Sequence, residues 1–417
     1  DPDSIGERFP HQVSGGQLQR AMTAMAMGCE PEIVVFDEPT TALDVTTQIE
    51  VLAAIKEAVR ARGVSAIYIT HDLAVVAQLA DRIMVLRYGN LVEEGDARRL
   101  LAHPTEDYTK RLLSVRSLRE DKTLQQVESQ ILAVDNVVAR YPSATEYVLE
   151  DISIGVEQGK TVAVVGESGS GKSVTLRSLM KLHPPKKTHY EGEILFDGTS
   201  MLDCNEQKLR GLRGAEISMI FQEPATALDP VYKVGQQICE MIIRHEGISQ
   251  QEARARAKEL LELVRIPSAA ERLNAYPHEM SGGMRQRVMI ALALSCNPKL
   301  LLADEPTTAL DATVQVQIIL LLKQLQKDLG LSMIFVTHDV GVAIEIGAKV
   351  AIMYAGQMVE YGTLSDVVRQ PRHPYTQGLL NSTVHAGLRG QRLDAIPGAP
   401  PTLSSPLKVC GFAPRCP

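Results

Sequence analysis

TVAVVGESGSGKSVTLRSL, residues 161–179, changes character twice along its length. An apolar, valine-rich run reads as a short buried strand, a glycine-rich turn follows, and a helix then begins. Gly166-x4-Gly171-Lys172-Ser173 fits the phosphate-loop spacing in the strand, turn and helix setting which that motif requires. The spacing has a mechanical cause. Glycines let successive backbone N–H groups turn inward on phosphates, and the helix behind points its positive end at them. Lys172 is the group to reach the β and γ phosphates and Ser173 the one to ligate Mg²⁺, while Glu167, Ser168, Gly169, Ser170 and Val174 complete the loop and the start of its helix. A glycine-rich turn met by chance would not carry the strand before it and the helix after it.

Two further apolar runs end in groups suited to the same chemistry. KLLLADEP, from Lys299, is a buried strand closing on two acids. Asp304 can hold the Mg²⁺ shell and Glu305 can polarise a water against a γ phosphate. IFVTHD, from Ile334, delivers His338 to the same sheet edge. A single acid or histidine at a strand end would be a strand cap in many parallel α/β proteins, but three such elements in this order define a site.

The chain also repeats itself. Ser14-Gly15-Gly16 recurs as Ser281-Gly282-Gly283, FDEPTTALD (36–44) as ADEPTTALD (303–311), and Thr70-His71-Asp72 as Thr337-His338-Asp339, each 267 positions on. HPTEDYT from His103 echoes HPYT from His373 at 270, which implies a small insertion between the copies there. The polar stretch VRSLREDKTLQQVESQ (115–130) reads as a linker or exposed helix. Projected back by the repeat, a first phosphate loop is expected roughly 95 positions before residue 1, so the chain is expected to be an amino-terminally truncated piece. Its first strands, IVVF at Ile33 and AIYIT at Ala66, are then expected to be poorly covered.

Together the phosphate loop, FQE (221–223), SGGMRQR (281–287), DEP, ALD and TH resemble the ATP-binding cassette ATPases, from near Ile131 to Pro417. The first 114 residues resemble the later half of another such domain. The resemblance implies an α/β fold of the P-loop NTPase type, with a RecA-like core, an antiparallel β subdomain and a helical subdomain, the first cassette being incomplete. The implied domains are 1–114 for the end of a first cassette, 115–130 for a linker, 131–387 for a complete second cassette and 388–417 for a carboxy-terminal tail. By motif position, Gln222 is the Q-loop glutamine and a Mg²⁺-shell group, Asp304 the Walker B acid, Glu305 the general base and His338 the switch histidine. Tyr141 is the candidate to stack on adenine, with Tyr147 as its rival.

Cassettes of this kind close as head-to-tail pairs. Ser14, with Gly15, Gly16 and Gln17 at a helix start, is therefore expected to offer donors to a γ phosphate held by the other cassette. Asp37, Glu38, His71, Ser281, Gly282 and Gly283 are the matching elements of the reciprocal site. The helix-rich stretch from Val234 to Val264 has apolar residues at helical spacing, and in the family this arm meets a membrane subunit. An apolar face is more often core, but the Gln222 loop at its start favours docking.

The tail, QPRHPYTQGLLNS then IPGAPPTLSSPLKVCGFAPRCP, resembles the carboxy-terminal extension of the peptide, dipeptide and nickel importer branch. Two fused cassettes with these features resemble the ATPases of glutathione and oligopeptide importers. The implied partners are two membrane permease subunits and an extracytoplasmic substrate-binding protein, with the chain peripheral on the cytoplasmic face of the inner membrane. The implied cofactors are ATP and Mg²⁺. Tail cysteines hold an iron–sulfur cluster in some members of the branch, but Cys410 and Cys416 are two thiols where such a cluster needs about four, so no metal ligands are assigned there.

Bulk composition agrees. No apolar run approaches the roughly 18 residues of a membrane span, and six scattered cysteines suit a reducing compartment. A net charge of −7, with 11 tyrosines, 6 phenylalanines and no tryptophan, argues against a nucleic-acid surface. It also argues against the alternative of a soluble cassette ATPase acting on ribosomes or DNA, which needs a basic surface or a long charged arm.

Overall fold

The computed structural model describes residues 9, 12–40, 43, 45–70, 76, 79–87, 89–114, 129–140, 147–184, 188–308, 310–382, 396, 398, 401 and 409–417. Two compact units are distinguished: Asp1–Lys122 with Asp311–Thr313 and Asn381–Ile396, and Thr123–Leu310 with Val314–Leu380 and Pro397–Pro417.

The strands of the first unit are β1 (Ile33–Asp37), β2 (Ser65–Ile69), β3 (Arg82–Arg87) and β4 (Asn90–Asp96). β1 and β2 pair in parallel, and β3 and β4 form an antiparallel hairpin. The helix Gly15–Met27 starts where it does because Ser14 and Gln17 form a reciprocal cap: Gln17 N donates to Ser14 Oγ at 3.4 Å, and Ser14 N to Gln17 Oε1 at 3.1 Å. Met27, Val34, Phe36, Val51 and Ile55 make a small core. The opposite faces stay in solvent, with Ile33 59%, Val35 57% and Ile67 54% exposed, as the sequence led us to expect for these strands.

The second unit holds β5 (Gln130–Arg140), β6 (Tyr147–Glu157), β7 (Thr161–Val165), β8 (His189–Phe196), β9 (Thr199–Ser200), β10 (Ile217–Ile220), β11 (Leu300–Asp304), β12 (Ser332–Thr337), β13 (Lys349–Tyr354) and β14 (Gln357–Thr363). They form one ten-stranded sheet in the order β10-β11-β12-β7-β13-β14-β6-β5-β8-β9. From β10 to β13 all pairs are parallel; β13/β14, β6/β5, β5/β8 and β8/β9 are antiparallel, and a single parallel bridge joins β14 to β6. β7 and β11 are buried at every residue, as strands covered on both faces must be. One face of β11 and β12 sends Leu301, Ala303, Met333 and Phe335 into a core shared with the helices. The other sends Leu300, Leu302, Ile334 and Val336 into a core shared with Val162, Leu176, Leu149 and Phe196.

Helices Val234–Glu246 and Gln250–Leu263 bury Val234, Ile238, Ile242, Ala253, Ala257 and Leu261 in that first core. The apolar stripe of this arm is therefore core, and the docking face that the sequence suggested is not formed by it. What stays exposed at its start is Phe221, Val231 and Tyr232.

The repeat is structural as well as sequential. β1, β2, β3 and β4 begin 267 positions before β11, β12, β13 and β14, and the irregularity at Val85/Leu86 recurs at Ile352/Met353. Helix Ala97–Ala102 recurs at Leu364–Arg369, and the helix Asp107–Ser114 ends 267 before Pro374–Asn381. This corrects the insertion inferred from the two HP dipeptides. Tyr108 and Thr109 match Tyr375 and Thr376 at the unchanged offset, and the structural proline is Pro104 against Pro371, with His103-Pro104 and His373-Pro374 in different registers.

Candidate functional site

β7 ends at Val165 and the chain turns through Gly166–Gly171 before the helix Lys172–Leu179. Three positions in this loop demand glycine. A Cβ on Gly166 would lie 2.2 Å from the Met353 carbonyl oxygen, and Gly169 and Gly171 have φ of 78° and 100°. Lys172 is folded back over the loop, its Nζ donating to the carbonyl oxygens of Gly166 at 2.8 Å and Glu167 at 2.9 Å. Ser168 and Gly169 are exposed at the turn, Ser170 is buried, and Val174 sits half-buried in the first helical turn. Glu167 joins the loop through its main chain, its carboxylate being buried and bound to Arg415.

β11 brings Asp304 to the loop, and Ser173 Oγ donates to Asp304 Oδ1 at 2.8 Å. Burial pushes the Asp304 carboxyl above its ordinary value, and its Oδ2 is buried without a hydrogen-bond partner. The hydroxyl of Ser173 and an under-satisfied carboxylate form a hard-oxygen donor set, which fits Mg²⁺ and not a softer metal.

Glu305 then leaves the strand with a φ of 44°, a left-handed conformation uncommon for a residue with a side chain. Glu38, its repeat partner after Asp37, has the same φ of 44°. The carboxylate of Glu305 is where the site converges. Gln222 Nε2 and Thr308 Oγ1 each donate to Oε2 at 3.0 Å, His338 Nδ1 lies 3.3 Å from Oε2, and Lys172 Nζ lies 3.8 Å from Oε1. Burial alone would raise the Glu305 carboxyl, but the hydrogen bond and charge of His338, then Lys172 and Thr308, outweigh it and hold the group down at about 2. For His338 burial works against the charged form, and Glu305 outweighs it, so its pKa is raised. Gln222, Asp304, Glu305, His338, Lys172 and Ser173 thus meet in one place, from β11, the ends of β10 and β12, and the start of one helix.

Ser281 caps the helix Gly282–Ala293, accepting from Met284 N at 3.3 Å, as Ser14 caps its repeat. A Cβ on Gly16 would meet Thr47 Cγ2 at 2.3 Å and one on Gly283 would meet Val314 Cγ1 at 2.8 Å, so these glycines serve close packing, while Gly15 and Gly282 are less confined. Gln17 is engaged with the Ser14 backbone. His71 and Tyr141 lie outside the described residues; Tyr147 opens β6. Sequence reasoning gave no role to Thr308, which stands in the repeated DEPTTALD block, nor to Tyr354, Tyr375 and Arg415, which border Glu167. A hydroxyl three residues after Glu305 was a visible signal for Thr308; nothing local pointed from residue 415 to residue 167.

Residues 149–308 match the family described as ABC transporter, and residues 359–417 match the oligopeptide/dipeptide transporter, C-terminal region. The chain is similar to the oligopeptide transport ATP-binding protein OppD of Bacillus subtilis (strain 168), 52% identical over 269 residues that span 64% of this chain and 75% of that protein. It is similar over both units to the glutathione import ATP-binding protein GsiA of Pectobacterium atrosepticum, 38% identical across 99% of this chain and 70% of that protein. Among solved structures, the dimeric ATP-binding cassette MJ0796 in a post-hydrolysis state bound to ADP and Pi matches with a TM-score of 0.51 and 32% identity, covering 56% of this chain and 98% of that one. The cbiO1 protein from Clostridium perfringens, part of the cbiONQ transporter complex, matches with a TM-score of 0.51 and 28% identity over 58% and 92%.

Proposed function

The chain belongs to the ATP-binding cassette transporter ATPases, and from that membership we propose that it hydrolyses ATP to energise the import of peptides or related small solutes through partner membrane permeases. The observation that carries the chemistry is the convergence of Gln222, Thr308, His338 and Lys172 on the Glu305 carboxylate, one residue from the Asp304–Ser173 pair.

Each residue's part follows from its contacts. The Gly166–Ser173 backbone would cradle the phosphates, and they would draw Lys172 Nζ away from the Gly166 and Glu167 carbonyls. Ser173 and Asp304 would hold Mg²⁺ with Gln222, and the ion, when bound, neutralises charge on the transferring phosphoryl group. Glu305, ionised at neutral pH, would orient the attacking water, and His338 would fix the carboxylate's direction. Tyr141 is proposed for the adenine. The Ser14 and Ser281 elements are proposed to offer donors to a γ phosphate.

The import reading is supported by the carboxy-terminal match and by the relatives' roles in oligopeptide and glutathione transport. We place the chain on the cytoplasmic membrane face, with two permease subunits and an extracytoplasmic binding protein as its partners. The exposed Phe221, Val231 and Tyr232, flanking Gln222 and Glu223, are the surface we assign to a permease. No helix of the described residues is long and apolar enough to cross a membrane.

Glu305→Gln should keep MgATP binding and lower turnover by about a hundredfold or more. Unchanged turnover would remove Glu305 from its role. Separate assays of Ser14→Arg and Ser281→Arg assign which serine element serves the Gly166 loop: it is the one whose change abolishes hydrolysis.

A further inference from the structure

Glu167 is 4% exposed, and its side chain lies against residues of the carboxy-terminal region. Arg415, in the short turn Ala413–Arg415 and 7% exposed, grips it with both terminal nitrogens: Nη1 donates to Oε2 at 2.8 Å and Nη2 to Oε1 at 3.3 Å. This two-pronged geometry is the one in which a guanidinium specifies position as well as charge. Arg415 Nη1 also donates to the Tyr354 hydroxyl at 3.1 Å.

The main chain of Glu167 is held too. Its N–H donates to the Tyr375 hydroxyl at 2.9 Å, and its carbonyl accepts from Lys172 Nζ at 2.9 Å. Tyr354, Tyr375 and Phe412 pack around these bonds, with ring centres 4.6 to 5.5 Å apart. Side chain and amide of one loop residue are therefore fixed from the region 359–417, and its carbonyl meets the lysine that faces phosphate.

The internal repeat offers an independent comparison. Tyr354 and Tyr375 correspond to Arg87 and Tyr108 in the first unit, where the Arg87 guanidinium lies 4.8 Å from the centre of the Tyr108 ring. Both repeats set a guanidinium at this aromatic corner. In the first it comes from the strand itself, and in the second, where tyrosine occupies the strand position, it comes from the tail.

We propose that the tail residues 412–415 brace the phosphate-binding loop, with Arg415 as a positioning residue that holds Glu167, and with it the loop backbone, in place for a nucleotide. The proposal rests on the reading of Gly166–Ser173 as the ATP site. A buried pair of this kind is weak evidence for stability, because desolvation offsets its attraction. A brace instead makes a specific demand: its loss should weaken MgATP binding and loosen the loop while leaving the bound complex able to turn over.

The test uses the whole chain, unaltered and as Arg415→Ala, Arg415→Lys, Lys172→Ala and the double variant Glu167→Gln/Arg415→Gln. The readouts are MgATP affinity, KM and kcat for hydrolysis, and amide hydrogen exchange across 161–176. Arg415→Ala should raise Kd and KM about tenfold, the scale of one lost charge-assisted hydrogen bond. It should leave kcat within about twofold and speed exchange in the loop. Arg415→Lys should recover only part of the affinity, since an ammonium cannot fork onto a carboxylate. The double variant leaves no unpaired buried charge and decides the matter if the single variant fails to fold; it too should show raised KM and faster exchange. Unchanged KM and exchange in either folded variant, or a fall in kcat at unchanged KM, overturns the brace. Lys172→Ala separates the two readings. If it binds MgATP normally, the site assignment has failed. If it loses binding while the Arg415 variants bind like the unaltered chain, the brace alone has failed.

Discussion

At the scale of single residues, one carboxylate organises the site. Glu305 is turned out of its strand by a left-handed backbone and met by four side chains from four places in the sequence. Thr308 was the contact that motif reading passed over, and it gives a test of its own. Thr308→Val removes one donor to Oε2 with little change of shape, so turnover should fall roughly three- to tenfold with MgATP affinity retained, as steady-state kinetics would show. An equal loss of affinity would mean that Thr308 acts on the loop and not on Glu305. Gly166→Ala tests the close approach beneath the loop. The added methyl would face a backbone oxygen that no rotamer change can move, so stability should fall by about 1–3 kcal/mol in chemical denaturation, with MgATP binding impaired.

At the scale of elements, the two repeats use one device to pin the segment after β4 and β14. Glu93 accepts from Thr105 N at 2.9 Å, Thr105 Oγ1 at 2.7 Å and Glu106 N at 3.2 Å; Glu360 accepts from Arg372 N at 3.0 Å and His373 N at 3.1 Å. Hydrogen bonds, that from the Thr105 backbone first, hold the Glu93 carboxyl at about 2, against an ordinary 4.5. A folded-state pKa below the unfolded one means that the ionised form is favoured by folding. The contribution is present above about pH 4.5 and is lost as the pH falls toward about 2. Protection of the helix Asp107–Ser114 in hydrogen exchange should decline over that window, and Glu93→Gln should abolish this pH dependence. A decline that persists in the variant would point to another group. The sequence hid this device because the eye aligns His103-Pro104 with His373-Pro374, whereas the backbone aligns the two carboxylates and the amides they bind.

At the scale of the whole molecule, the same strand pattern is buried to different depths in the two units. β11 is covered on both faces, while β1 is covered on one, leaving Ile33 and Val35 in solvent. Each large aliphatic side chain left exposed forgoes about 1.5–3 kcal/mol of burial. The first unit should therefore unfold first. In urea, amide protection in β1 and β2 should disappear at a lower concentration than in β11 and β12, with two resolved transitions. A single transition with coincident loss of protection would contradict this ordering.

Much of this architecture was legible in the sequence because it is local. Val-rich and Leu-rich runs ending in glycine, aspartate or histidine specify buried parallel strands whose ends carry polar groups. The 267-residue offset showed that one plan is used twice, and the spacing of Gly166 to Ser173 specified a loop that cups anions. Tertiary structure alone decided which side of each helix is core, so that the apolar stripe of 234–264 proved to be interior. It alone brought Gln222 and His338 to Glu305 and the tail to the loop. The Arg415–Glu167 contact spans 248 positions, and no periodicity or propensity encodes a meeting at that separation. It arises only when β7, β13 and the helix Pro374–Asn381 have packed and left a buried carboxylate that requires a countercharge.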